Sequence, residues 1–211
     1  MITELWITLV LATSALLIIP GPVVVLLLSQ TLTNGRTIAA GAISGVVLGD
    51  LVAMTISFAG AGAILATSAT LFTLLKIAGA LYLVWLGISL WRSGFDKIDL
   101  KQARVERGSV GTATRWRAFR QTFIVTALNP KDIAFFVAFL PQFVDPARPA
   151  GLQVAIIIVT FLTLVVITTS LWVFSANRLR ASLSKPFMQR LVSRTGAGAL
   201  IGAGGLTALS G

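Results

Sequence analysis

The stretch RQTFIVTALNPKDIAFFVAFLPQF, residues 120–143, decides the fold class, because it is an apolar run of membrane length with a helix start in its middle. About 20 predominantly apolar residues cross the hydrocarbon core of a bilayer as a helix. Inside the run, Asn129 can cap a helix, Pro130 suits its first position, and Asp132 is an acid in its first turn. The pattern predicts a spanning helix that breaks near the bilayer midplane and restarts at Pro130, where its amide groups and positive dipole end would face an anion.

A second apolar run, residues 4–32, carries Pro20-Gly21-Pro22 at a similar depth. Each proline removes a helical N–H and strains the preceding turn, and the glycine between them adds backbone freedom. A straight helix through this point is therefore not expected. Carbonyl groups freed by such a break need partners inside a membrane, so the break is expected to face protein or a wet cavity.

Four further apolar runs lie at residues 38–66, 71–91, 152–176 and 194–210. The composition agrees with a membrane protein, since 56% of the residues are hydrophobic and only 11% are charged, against roughly 25% charged in soluble domains. We therefore predict an all-α integral membrane protein with six transmembrane helices, of which helices 1 and 4 are broken near the midplane.

The basic residues predict the orientation of the chain. Of the 17 Lys and Arg residues, all but Lys76, Lys131 and Arg148 lie in or beside the first, third and fifth connections. Because basic residues concentrate in cytoplasmic connections, these three are predicted to be cytoplasmic and both termini to lie on the outer side. This topology accounts for the net charge of +10 without a nucleic-acid partner.

The third connection, residues 92–119, is predicted to be a basic cytoplasmic linker between two three-helix units, residues 1–91 and 120–211. Because three is an odd number, equivalent helices of the two units run in opposite directions, which is the geometry of an inverted repeat. A shift of 118 residues, which lays Lys76 on Arg194 and Gly87 on Gly205, supports the repeat.

Asp50 is the acidic residue that the membrane context singles out. It lies about halfway along the second predicted helix. A carboxylate at the bilayer centre is costly and by default marks a functional site with a partner. Lys131 or Lys76 would be that partner, and a purely structural ion pair is the alternative.

Small residues predict close helix packing in the second and third helices. They are Gly41, Gly45, Gly49, Gly79 and Gly87. The first three are spaced four apart on one helix face, which allows another backbone to approach. That face could pack inside one subunit or between two, so a homo-oligomer stays open.

Candidate cavity-lining groups are the hydroxyls of Tyr82, Thr168 and Thr169. Lys76 is another candidate, although it lies close enough to the outer end of helix 3 for its ammonium group to reach the interface.

The absence of Cys and His excludes disulfides and thiolate or imidazole chemistry, so we expect neither a metal site nor a cofactor. No phosphate-binding loop or hydrolytic constellation is present either. An enzyme is therefore not expected, and proton chemistry would fall to Asp50 with Asp132 in reserve. Two broken helices in corresponding positions instead predict a transporter with its substrate site at the breaks. The predicted substrate-binding residues are Pro20, Gly21, Pro22, Asn129, Pro130 and Lys131.

The sequence resembles the lysine exporter (LysE/RhtB) family of bacterial amino-acid efflux proteins, and especially its homoserine and threonine exporter branch. The resemblance covers nearly the whole chain. The segments that carry it are Pro20-Gly21-Pro22, the glycines of helix 2 with Asp50, the stretch LKIAGALYLVWLG at 75–87, and Asn129-Pro130-Lys131 followed by Pro141-Gln142-Phe143.

The resemblance implies a proton-driven exporter of small amino acids or their analogues in the bacterial inner membrane. In this reading, the helix start at Asn129 binds the substrate carboxylate with help from Lys131, and carbonyls at the first break receive the ammonium. Members commonly carry an acidic residue in the middle of helix 5, where this chain has Ile167, Thr168 and Thr169. That departure leaves Asp50 as the main candidate for proton coupling.

Two alternatives of different classes remain open from the sequence. The first is an inorganic cation exporter, for which only a hard-ion site of carboxylates and carbonyls is available without Cys and His. The second is a structural or interaction protein of the membrane, in which prolines and glycines serve packing alone. The sequence does not specify the amino acid, the coupling ion or its stoichiometry, the oligomeric state or whether helix 6 spans fully.

Overall fold

A computed structural model describes residues 3–18, 21–34, 38–93, 115–145, 147–183 and 186–209, and the regular structure in these ranges is entirely helical. The helices are α1 (Thr3–Ile18), α2 (Pro22–Asn34), α3 (Ala39–Thr67), α4 (Ala69–Ser93), α5 (Arg115–Ala127), α6 (Pro130–Ala138), α7 (Ala150–Leu183) and α8 (Pro186–Leu209), with a 3-10 turn at Leu140–Phe143 after α6. Most of the predicted linker, residues 94–114, lies outside the described residues, as does Pro20.

Two of the apolar runs form bent pairs of helices. Glu4–Ile18 and Pro22–Thr31 meet at an angle of 58°, and Arg115–Ala127 and Pro130–Phe143 meet at 48°. The helix that follows each break begins at a proline. A proline has no backbone N–H, and at the first position of a helix that N–H would have no partner within the helix, so nothing is lost there. Both predicted interruptions of helices 1 and 4 are therefore present.

The unbroken runs give three helices that are long and apolar enough to cross a membrane, within Ala39–Thr67, Ala69–Ser89 and Ala150–Ala176. Each bent pair would add one span, which makes up to five in the part of the chain that the structure describes. The sixth predicted span coincides with α8, which is not among the helices that meet the same length and hydropathy criteria.

Several helices extend beyond the predicted apolar runs. α5 begins at Arg115 rather than near residue 120, and α7 continues to Leu183 although its apolar run ends near residue 176. Apolar runs mark only the part of a helix inside the membrane, whereas Arg and Gln are good helix formers that extend it into water. The apolar runs therefore predict where the helices lie better than where they end.

The most extensive packing joins α3 to α5 through the glycine face of α3. A Cβ atom on Gly41 or Gly45 would collide with the backbone carbonyls of Arg115 or Phe119, and one on Gly49 would lie 2.8 Å from Thr126 Cβ. The glycine face therefore packs inside one chain.

A hydroxyl group adds a polar link between the same two helices. Thr122 on α5 is fully buried, and its hydroxyl donates to the Ala42 carbonyl of α3 at 2.8 Å. Small residues and hydroxyl bonds of this kind hold helices together where lipid removes the hydrophobic driving force.

Helix α4 packs against α6 and α8 in the same manner. A Cβ on Gly79 would lie 2.7 Å from Ala138 Cβ of α6, and one on Gly87 would lie 2.9 Å from the Ala197 carbonyl of α8. A Cβ on Gly204 of α8 would lie 2.6 Å from the Ala80 carbonyl oxygen of α4. Close backbone contact therefore holds α4 to both neighbours.

Aromatic rings from α6 and α7 form the centre of the buried core. Phe135, Phe136 and Phe161 are almost fully buried, and the rings of Phe136 and Phe161 meet edge to face with centroids 5.0 Å apart. Phe139 continues the cluster, 4.8 Å from the ring of Phe135. This aromatic cluster lies beyond the restart of the second broken span and is part of the main buried core.

The outer faces of the bundle are apolar. Large hydrophobic side chains on four helices are 62 to 66% exposed, and they include Leu11, Ile56, Leu81, Val159 and Phe174. Such a continuous apolar exterior would aggregate in water but suits contact with lipid tails.

The buried side-chain amide of Gln153 forms hydrogen bonds with the connection between the 3-10 turn and α7. Gln153 is 3% exposed, and its side-chain nitrogen donates to the Asp145 carbonyl at 3.0 Å while its oxygen accepts the Asp145 N–H at 2.9 Å. The same connection carries an exposed ion pair between Arg148 and Asp145 at 3.3 Å. Gln153 thus satisfies the turn's buried backbone groups.

Candidate functional site

A cavity of about 40 Å³ lies where the four half-helices of the two broken spans meet. Its wall comes from the end of α1, the start of α2, the end of α5 and the start of α6, and the middles of α3 and α7 complete it. The lining residues are Leu17, Gly21, Val23, Val24, Val46, Asp50, Thr126, Asn129, Lys131, Asp132, Val165, Thr168, Thr169 and Trp172. The space accommodates at least one water molecule.

The start of α6 is capped by its own residues. The Asn129 side-chain oxygen accepts the Lys131 N–H at 3.2 Å, and the Asn129 carbonyl accepts the Asp132 N–H at 3.1 Å. Since Pro130 has no N–H, the first turn leaves no amide among these residues for a substrate anion. The anion at this positive dipole end is the Asp132 carboxylate, which accepts a 2.6 Å hydrogen bond from the Asn129 side-chain nitrogen.

Lys131 supplies the positive charge of the cavity. Its ammonium nitrogen lies 3.5 Å from Asp132 Oδ1, and its side chain is 13% exposed. The same nitrogen would lie 3.5 Å from a Cβ on Gly21, so it reaches from the second break to the first. One lysine thus connects the two interrupted spans.

Asp50 enters the cavity from α3, one turn after Val46. It is 3% exposed and lies within electrostatic range of both Asp132 and Lys131. The cavity therefore holds two carboxyl groups and one ammonium group. Such a cluster inside a membrane bundle marks a site for ions, protons or a charged substrate.

Three buried oxygen atoms of this cavity have no hydrogen-bond partner. They are Asp50 Oδ1, Asp132 Oδ1 and Thr126 Oγ1. Buried polar atoms in proteins are almost always bonded, so several such oxygens on one cavity indicate that a ligand or water completes them. An oxygen-lined subsite of this type receives a donor or a cation.

One face of α7 forms another part of the cavity wall. Val165, Thr168, Thr169 and Trp172 follow the i, i+3, i+4, i+7 spacing of a single helix face, and all four line the cavity. The Thr169 hydroxyl donates to the Val165 carbonyl at 2.6 Å, so it is occupied within its own helix. This is the region in which the sequence lacks an acidic residue.

Seven of the residues singled out from the sequence line this cavity: Gly21, Asp50, Asn129, Lys131, Asp132, Thr168 and Thr169. Lys76 and Tyr82 of α4 do not line this cavity; the Tyr82 ring lies beside Trp85, with centroids 5.7 Å apart. Pro22 and Pro130 stand next to the cavity as the first residues of α2 and α6.

Sequence reasoning missed Thr126 and Trp172. Trp172 lies four residues after Thr168 on α7, so it shares a helix face with a residue that was named, whereas Thr126 lies at the end of α5, on the other side of the break from Asn129. That spacing was the available signal. It could not be used without knowing which face of each helix turns inward.

In the part of the chain that the structure describes, no three Asp, Glu, His or Cys side chains come together as a metal-binding group. The charges of the cavity are instead mixed in sign, which suits a zwitterion better than a bare cation.

Comparison with known families decides what kind of protein carries this cavity. The sequence profile of the family described as "LysE type translocator" matches residues 14–211. The chain belongs to the LysE-type translocator family. No solved structure matches it.

The relatives of this translocator include named efflux proteins. It is 30% identical over 191 residues to the homoserine/homoserine lactone efflux protein of Salmonella typhi, covering 90% of this chain and 89% of the relative. It is 32% identical over 131 residues to the leucine efflux protein of Enterobacter sp. (strain 638), covering 62% and 59%. An uncharacterized membrane protein of Pseudomonas aeruginosa is 33% identical over 210 residues, covering 97% and 91%.

Membership makes the chain part of a family of amino-acid efflux transporters, and its relatives include membrane proteins. The LysE-type match begins at residue 14 and so includes both breaks and every cavity-lining residue.

Proposed function

We propose that this translocator is a secondary active exporter of small amino acids or their analogues, coupled to protons and working by alternating access across the bacterial inner membrane. The observation that carries the proposal is the cavity at the junction of four half-helices, with Asp50, Lys131 and Asp132 on its wall. Transporters commonly bind substrate between discontinuous helices near the bilayer midplane.

Lys131 binds the substrate carboxylate in this proposal. The amides of the α6 start are occupied by Asn129, so the ammonium group of Lys131 is the cation of the described lining that attracts an anion. Its position between Gly21 and Asp132 supports an anion site between the two breaks. A lysine acts as a point charge, which suits a small carboxylate that must also be released.

The substrate ammonium meets the three oxygens that lack a hydrogen-bond partner, of which Asp132 Oδ1 also lies 3.5 Å from the Lys131 ammonium. An ammonium group has hydrogen-bond donors and no acceptor, so it complements Asp50 Oδ1, Asp132 Oδ1 and Thr126 Oγ1. Gly21 of the first break lines the same cavity, but its carbonyl already accepts the Val25 N–H at 3.0 Å. An α-amino acid satisfies the buried groups of both signs at once.

Charge balance makes one carboxyl group the proton carrier. Two carboxylates against one lysine leave one excess negative charge in the empty cavity. Because an uncompensated charge inside a membrane protein is costly, a proton on one carboxylate would balance the empty cavity, and the substrate ammonium would displace that proton when it binds. One amino acid then leaves for each proton that enters. Asp50 takes this role, since Asp132 is held by Asn129 and Lys131 at 2.6 and 3.5 Å.

Alternating access would follow from rocking of the two three-helix units about the cavity. The aromatic cluster around Phe135, Phe136 and Phe161 would act as the barrier on one side. In the predicted orientation that side faces outward. The three predicted cytoplasmic connections, one of which is the 92–119 linker, are on the other side.

The test of coupling is Asp50→Asn in proteoliposomes loaded with labelled homoserine. A gradient of one pH unit is worth about 1.4 kcal/mol per proton, which sustains a tenfold concentration ratio. We expect the wild type to build such a ratio and Asp50→Asn to stop near equal concentrations. The matched control is Asp145→Asn, an acid of the connection before α7 that does not line the cavity. An unchanged ratio and pH dependence in Asp50→Asn would exclude the coupling role.

A further inference from the structure

The cavity has an apolar part that the recognition of α-amino and α-carboxyl groups does not use. Val23, Val24, Val46 and Val165 line it, and all four are at most 8% exposed. Trp172 lies beside them as the largest side chain of the wall. The described lining thus has a charged part and a hydrocarbon part.

Trp172 is held firmly in position by its surroundings. It packs against the buried cluster of Val24, Leu28 and Ala176, and also against a second cluster that includes Ala42 and Ala118. The two clusters are built from residues of α2, α3 and α5 as well as α7. A ring packed against two buried clusters is a fixed wall rather than a freely rotating side chain.

The ring shares the cavity wall with the charged groups. Trp172 follows Val165 and Thr168 at the spacing of one face of α7, and this face lines the same cavity as Asp50, Lys131 and Asp132. An amino acid held by its α-groups at the charged residues has Trp172 and the valines as the rest of its surroundings.

We infer that Trp172, backed by the valines, is the specificity-determining wall of the site, so that the translocator takes amino acids with short, uncharged aliphatic side chains. The inference rests on the proposed function. No charged side chain other than Asp50, Lys131 and Asp132 lines the described cavity, so a basic or acidic side chain at the apolar end would be buried without a partner. A long side chain would collide with the ring.

The experiment is a competition panel against labelled homoserine exported from proteoliposomes, with threonine, valine, leucine, phenylalanine and lysine as competitors. In the wild type we expect the shorter neutral residues to compete and phenylalanine and lysine to fail. Trp172→Ala should improve competition by phenylalanine roughly tenfold or more, because removing a wall that rejects a few carbon atoms changes discrimination by that order. Lysine should still fail, since the variant adds space and no counter-charge.

Two further variants keep the test decisive. Trp172→Phe should fold even if the alanine variant does not, and it should give an intermediate gain for leucine. Trp91→Ala removes a 52% exposed tryptophan that does not line the cavity and should leave the profile unchanged. The inference would be overturned if both Trp172 variants kept the wild-type competition profile, or if they changed competition equally for every competitor. It would also be overturned if lysine competed as well as threonine in the wild type. Absence of any homoserine or leucine efflux by the wild type would instead contradict the proposed function.

Discussion

Lys131→Met is expected to reduce amino-acid efflux by roughly a hundredfold or more, because the substrate carboxylate loses its only cation within the described cavity lining. The same change leaves Asp50 and Asp132 facing each other without the ammonium that lies 3.5 Å from Asp132. Breaking a buried pair by removing one partner destabilises a protein by about 3–5 kcal/mol. Initial efflux rates and thermal unfolding in detergent measure the two effects.

The double variant Lys131→Met/Asp132→Asn separates folding from transport. Removing one carboxylate with the lysine restores the charge balance, so we expect most of the lost stability to return while efflux stays low. Lys76→Met is the matched control, since Lys76 lies in α4 away from the cavity lining. Normal efflux in the double variant would show that Lys131 does not bind substrate.

Gly45→Ala is expected to lower the free energy of unfolding by about 1–3 kcal/mol, although alanine is the better helix former. The added methyl would collide with the Phe119 carbonyl and the Thr122 hydroxyl of α5. Because Thr122 also donates to Ala42, it cannot move aside without losing its bond between the helices. Thermal unfolding of the purified protein gives the shift.

Gly60→Ala in the same helix is the control for helix propensity. A Cβ at Gly60 meets nothing within 4 Å, so the substitution should leave stability unchanged or raise it by up to about 1 kcal/mol. Equal effects of the two substitutions would mean that α3 and α5 do not pack through the glycine face.

The breaks and the caps were predictable because their causes are local. Proline lacks an N–H wherever it stands, and Asn129 caps α6 through its own neighbour Lys131. Asp50 could be singled out for a similar reason, since a carboxylate within an apolar run is costly in any arrangement of helices.

The wall of the cavity was not predictable because it depends on how helices turn. The apolar run of α7 gives no sign of which face looks inward, so Thr168 and Thr169 were named and Trp172 was not. The hydrogen-bond partners at the helix start of Asn129 were also not predictable from the sequence. Its amide groups were expected to face a substrate anion, but the side-chain and backbone oxygens of Asn129 occupy them, and the Asp132 carboxylate is the anion beside them.

The central claim is that the cavity binds an amino acid for export, and counterflow measures this most directly. Proteoliposomes loaded with unlabelled homoserine should take up labelled homoserine transiently, and external threonine or leucine should compete. Mg²⁺ and Mn²⁺ salts should not compete, because the ammonium group of Lys131 shares the cavity with its carboxylates. Counterflow that is absent for these amino acids, with transport of a metal ion in its place, would contradict the account and favour a cation exporter.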